Sequence, residues 1–188
     1  MFDSIINLYE SYHPVFVHFP IALLSIYAIL ECIRFKKLVA KPAFMTVKAV
    51  FLVTGFIIGL IAAGAGPEGG SVHSWLGYST YVQPTVRDIV EIHSTFAELT
   101  LIVFGIIAFS YIVRLCSFEK GAFAKYWKYV RALADFIAKP WILVILALVG
   151  LVLITITGGL GGSIVYGPDV DPVASYVFHL FFSTIVVR

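Results

Sequence analysis

The chain has 188 residues, of which 60% are hydrophobic and 13% charged, where soluble globular domains carry roughly 45–50% apolar and about 25% charged residues. That composition excludes an ordinary soluble domain. Thirteen basic and eleven acidic residues leave a net charge of +2, which excludes the strongly basic footprint of a nucleic-acid binder.

Crossing about 30 Å of hydrocarbon at 1.5 Å per residue takes roughly 20 apolar residues. Four stretches qualify, at about residues 14–35, 44–66, 92–113 and 141–162. Residues 1–12 have neither the positive n-region nor the apolar h-region of a cleaved signal peptide, so the first span is expected to serve as the insertion signal. Between spans one and two lie Arg34, Lys36, Lys37, Lys41 and Lys48, and between three and four lie Arg114, Lys120, Lys125, Lys128, Arg131 and Lys139. These two loops hold eleven of the thirteen positive charges. Basic loops stay cytoplasmic, so both termini are expected outside. Asp3, Glu10, Glu68, Asp88, Glu91, Asp169 and Asp171 then all fall on the outer side.

Residues 1–167 are thus expected to form an all-α, four-span membrane domain, a four-helix bundle with N-out, C-out topology. Residues 168–188 form an outer tail. Its apolar stretch 173–187 is too short to span comfortably, and Ser175, His179 and Ser183 recur every fourth residue, along one face of a helix. It reads as a short interfacial helix, or as a surface that docks on a partner subunit. Cys32 and Cys116 sit at cytoplasmic span ends, where thiols stay reduced. Neither belongs to a CxxC pattern, which leaves covalent haem attachment and zinc without support.

All five histidines, at 13, 18, 73, 93 and 179, map to the outer half under this topology. His13 lies 21 residues before Arg34 and His93 lies 21 before Arg114, while His18 and Glu98 each lie 16 before those arginines. The spans therefore carry ionisable groups at two matched depths, roughly 7–8 Å apart. Imidazoles on diagonal helices of a bundle can hold a b-type haem, one on each face of the iron. His18 and His93 are the first candidates for axial ligands and His13 the second choice; His13 and His18 are about 140° apart around one helix, so both cannot face one iron squarely. Glu98 is the candidate for a proton relay or for tuning the tautomer of His18. Gly55 and Gly59, with the run Gly158, Gly159, Gly161 and Gly162, allow close approach of helices or of a flat macrocycle. The plainer reading of the last four is a glycine-rich outer turn.

The segment HPVFVHFPIAL, residues 13–23, resembles the HPxxVHFPIAL signature of a bacterial and archaeal family of four-helix predicted membrane proteins of unknown function. GGLGGSIVYG, residues 158–167, is similar to that family's GGxLVY ending of span four. The resemblance covers most of the chain; the loop 68–91 and the tail after Gly167 look like local elaborations. Members occur joined to, or encoded near, Rieske and cytochrome modules. This implies respiratory electron transfer by association, in the plasma membrane of a prokaryote, with other membrane subunits and an outer-face cytochrome c or Rieske-type protein as partners and a quinone as a further ligand. The signature carries over onto His13, His18 and Pro20; His93 transfers less directly.

The function expected from these features is that of an electron-transfer subunit of a respiratory complex, rather than a stand-alone enzyme, holding one or two b-type haems and passing electrons between quinol and the outer partner. The alternative is a cofactor-free integral subunit that anchors or assembles a larger complex, with the histidines and Glu98 in an internal polar network. A small transporter or proton channel is disfavoured because Glu31, near a span end, is the lone ionisable residue expected in the inner half of any span.

Overall fold

The computed structural model describes residues 2–64, 86–116 and 124–182, and within them the side chains of all but residues 2–15, 86, 87 and 125. Among these residues there are seven helices and no strand: α1 Phe2–Cys32, α2 Lys36–Val39, α3 Pro42–Gly64, α4 Val86–Leu115, α5 Ala124–Ile137, α6 Pro140–Tyr166 and α7 Pro172–Phe182. Three segments, Pro42–Gly64, Asp88–Leu115 and Pro140–Tyr166, are long and apolar enough to cross a membrane. In α1 the described apolar part is Phe16–Cys32.

The helices outrun the expected spans where local chemistry permits. Helix α1 runs unbroken past Pro14 and Pro20, each of which removes one backbone donor. Helix α6 continues through Gly158, Gly159, Gly161 and Gly162 to Tyr166 and stops at Gly167, whose φ of 95° suits glycine. The glycine run is therefore helix and not an outer turn. Each glycine costs a helix up to about 1 kcal/mol relative to alanine, and close neighbours account for the use of Gly159 and Gly161. A Cβ at Gly159 would lie 3.1 Å from Val177 of α7, and one at Gly162 3.9 Å from Ala174.

The four long helices pack in a ring, α1 on α3 and α6, and α4 on the same two, so α1 and α4 are diagonal. Leu24, Tyr27, Leu52, Phe104, Ile107 and Ala147 fill the centre. Glycine sets the spacing. A Cβ at Gly55 would lie 2.9 Å from Leu24, one at Gly59 2.8 Å from Leu101, and one at Gly150 2.7 Å from the ring of Phe104. Ile57, Leu60, Ile102, Ile145 and Val152 point outward and are exposed in the isolated chain, as expected of helices that are apolar all round.

Two further helices flank the ring. Helix α5, within the basic loop, is amphipathic: Ala134 is buried and Val130 and Ile137 half-buried, while Lys128, Arg131 and Asp135 are exposed. At 14 residues it extends only about 21 Å and cannot span. Helix α7 is capped by Asp171, whose Oδ1 accepts the N–H groups of Val173 and Ala174 at 2.8 and 2.9 Å. It folds back so that Val177, Phe178 and Phe182 join Ile89 of α4 and Leu160 of α6 in a second core. Its opposite edge, Val173, Tyr176 and Leu180, remains exposed.

At the basic end, Glu31 of α1 is fully buried. Its Oε2 accepts from Lys48 Nζ of α3 at 2.7 Å and from the hydroxyls of Tyr27 and Tyr111 at 3.2 Å each. Its Oε1 accepts from Arg34 at 3.0 Å, and Arg34 also donates to the carbonyl of Pro140 at 2.7 Å. Lys48, expected in a cytoplasmic loop, is 2% exposed, so Glu31 is not the lone ionisable group inside this end of the bundle.

Removing one partner of a buried ion pair leaves a charge without compensation and costs roughly 3–5 kcal/mol. Lys48→Met is expected to destabilise at or below that range, because Arg34 still reaches Glu31. The double variant Glu31→Gln/Lys48→Met, which keeps an acceptor for both tyrosine hydroxyls, is expected to return most of the loss; denaturant unfolding in mixed micelles measures both. Gly150→Ala is expected to cost about 1–3 kcal/mol by overpacking against Phe104, outweighing the helix-propensity gain of at most about 1 kcal/mol.

Candidate functional site

At the end of the ring opposite the Glu31 cluster, the four long helices leave a cavity of about 310 Å³. The volume falls at the lower edge of the range for small-molecule and cofactor sites, roughly 300–1,000 Å³. Helix α1 contributes His18, Pro20 and Ile21, α3 contributes Gly59 and Ala62, α4 contributes His93 and Glu98, and α6 contributes Thr157, Gly158 and Gly161. Three of the four candidate residues read from the sequence therefore line one space. The side chain of His13 lies outside the described residues, as does His73. His179 lies on α7, its ring edge-on to Phe178 at 5.6 Å, and does not line the cavity.

Glycine shapes the α6 wall of the cavity in two ways. A Cβ at Gly158 would meet only Ile21, at 4.0 Å, and so would project into the open space. Gly161 does a different job: a Cβ there would stand 3.2 Å from Cε1 of His93, tighter than ordinary van der Waals contact. Its absence lets the imidazole press against the backbone of α6.

That approach fixes the chemistry of His93. Its Nδ1 lies 3.0 Å from the carbonyl oxygen of Thr157. A carbonyl can only accept, so Nδ1 is the donor in this contact and the ring turns its Nε2 edge away from Thr157. A carbonyl that holds one ring nitrogen and so orients the other is the usual support of a ligating histidine. Thr157 is itself anchored, its hydroxyl donating to Leu153 O at 2.9 Å and lying 3.4 Å from that of Thr100, which donates to Phe96 O at 2.7 Å. Thr100 and Thr157 are buried, and their hydroxyls are hydrogen-bonded to their own helices.

His18 and Glu98, on diagonal helices at the same offset from Arg34 and Arg114, line the same cavity. The depth estimate has an internal check at the other end, where Glu31 and Tyr111, each three residues before its arginine, meet at 3.2 Å. Among the described residues no group of three or more His, Cys, Asp or Glu side chains could hold a metal ion. An iron delivered in its own macrocycle asks less of the protein, since one or two imidazoles suffice. His18 and His93 reach the cavity from diagonal helices, the second with its ring held by a backbone carbonyl, beside the side-chain-free backbone of Gly158.

The Glu31–Lys48 cluster is the site that patterning missed. Its signal was a lysine at the seventh position of an apolar helix facing an acid three residues before Arg34, at the basic end of the preceding helix.

A family model described as "Predicted membrane protein (DUF2231)" matches residues 10–173. No curated protein and no solved structure matches the chain. The match takes in the whole cavity, the buried ion pair and the histidine signature, and the chain belongs to this family of predicted membrane proteins.

Proposed function

We propose that the protein is a membrane-embedded, b-type haem-binding electron-transfer subunit, with α1 as a fourth span, both termini on the outer side of a prokaryotic plasma membrane, and His18 and His93 as the ligand pair. The observation that carries this reading is the convergence of those two histidines, from diagonal helices, on a glycine-walled cavity with Nδ1 of His93 held by Thr157 O. Haem b, when bound, supplies one-electron Fe(III)/Fe(II) chemistry. The chain's own residues do the rest. Thr157 holds His93 in the orientation that presents Nε2, and Gly161 leaves room for the ring. Glu98, in the same cavity, would accept one of the two protons released as a quinol is oxidised to a quinone, the two electrons leaving one at a time through the haem to the outer partner. The outer partner on this reading is a soluble redox protein of the cytochrome c or Rieske type.

A second reading, a cofactor-free anchor or assembly subunit, draws on the same hydrogen bond: His93 joins α4 to α6 across 64 residues of sequence, which is a packing role complete in itself.

The optical spectrum of the purified full chain separates the two. The electron-transfer reading expects a reduced b-type α-band and extractable haem, lowered at least tenfold in His18→Ala and in His93→Ala, with the fold retained by circular dichroism. Gly161→Val is expected to lower haem content as well, because its side chain displaces the His93 ring, whereas Glu98→Gln is expected to keep the haem and slow quinol oxidation. Absence of any chromophore, with the histidine variants lowering yield alone, rejects the first reading in favour of the second.

A further inference from the structure

A second concavity, away from the histidines, is built of different material. It is a groove of about 530 Å³ between α3, α4 and α5, lined by Phe56 and Leu60, by α4 from Leu101 to Phe109, and by Leu133 and Ile137. Every lining residue is apolar or glycine. The α4 wall alone runs for about 12 Å along the helix, so the space is elongated along the bundle and ends against α5.

The α5 end is dressed differently. Tyr129, Leu133 and Phe136 form an exposed apolar stripe at the groove's edge. Lysine ammonium groups are parked on its aromatic rings, Lys128 Nζ 5.2 Å from the Tyr129 centroid and Lys139 Nζ 4.7 Å from that of Phe136. The single acid in residues 124–140 is Asp135, and it already faces Arg114 of α4 at 3.4 Å. Lys128, Arg131 and Lys139 are left as an excess of positive charge on and beside a helix too short to span.

We infer that this groove is a binding site for an anionic glycerophospholipid, its acyl chain along α4 and its headgroup phosphate on α5 between Lys128 and Lys139. Charge complementarity selects the occupant. A neutral apolar helix from a partner would fill the groove but leave the ammonium cluster uncompensated, and a zwitterionic lipid would offset it with its own cation. An anionic phospholipid satisfies the apolar wall and the cationic rim together. Helix α5, which no apolar run foretold, then acts as a lipid clamp hinged on α4 through Arg114 and Asp135.

The test uses the full chain, delipidated in detergent and offered equimolar dioleoylphosphatidylglycerol and dioleoylphosphatidylcholine, with retained adducts counted by native mass spectrometry. The expected result is at least a tenfold preference for the glycerol lipid. Lys128→Gln/Lys139→Gln, two changes on exposed side chains, is expected to bring that preference close to one without altering the phosphatidylcholine adduct. Leu133→Trp, which fills the groove, is expected to lose both. Equal retention of the two lipids by the unaltered chain, or a preference unchanged in the lysine variant, overturns the inference. So does a photocrosslinker at Leu133 in native membranes that captures a protein chain instead of lipid. Haem content is read in parallel; it is expected to stay constant in the lysine variant, so that the lipid site and the histidine cavity stand or fall separately.

Discussion

A carboxylate with no exposed surface, inside a bundle of apolar helices, is the constraint around which the basic end is arranged. Glu31 cannot be left alone there, since an unpaired buried ion costs several kcal/mol even after relaxation. Its two oxygens gather Lys48 from α3, Tyr111 from α4, Tyr27 from its own helix and, through Arg34, the first carbonyl of α6. One side chain thus touches or bridges to all four members of the ring. Apolar contacts between such helices are non-directional and would tolerate sliding or rotation. The hydrogen bonds to Glu31 do not, because each has a single length and direction, so they select one register among many that Leu and Ile would accept.

The two ends of the ring solve opposite problems. At the basic end, polar side chains are packed against one another around Glu31. At the other, glycines remove side chains and leave a space whose polar groups, His18, His93 and Glu98, border it. Between them lies an apolar plug of Leu24, Phe104 and Ile154, of which Leu24 and Ile154 also floor the cavity. The charged cluster is therefore separated from the cavity by close-packed hydrocarbon.

Much of this was legible from the residues. Apolar length alone located the three long apolar segments now seen as α3, α4 and α6, and counting back from Arg34 and Arg114 placed His18, His93 and Glu98 at depths that do line one space. The pattern failed where polarity was used unconventionally. Lys48 reads as a loop residue because lysine in a span is rare, yet Glu31 on the neighbouring helix stabilises it inside the bundle. The glycines of α6 read equally well as a turn because propensity ignores what presses against them; His93 and Val177 decide in favour of helix. Helix α5 was hidden in a run of positive charge, since its apolar face is narrow and its length short. The Nδ1 contact of His93 had no signal at all, being made to a backbone carbonyl 64 residues away.

That contact also has a mechanical side. His93 is carried by α4, but its ring is moored to the backbone of α6, so the direction of Nε2 and the angle between the two helices are a single coordinate. Any tilt or rotation of α6, which is also the floor on which α7 rests, swings the imidazole. Conversely, whatever fixes Nε2 stiffens the α4–α6 pair and, through Gly159 and Ser163, the seat of the terminal helix. One stretch of α6, Thr157 to Ser163, thus carries both the seat of the imidazole and the seat of the terminal helix.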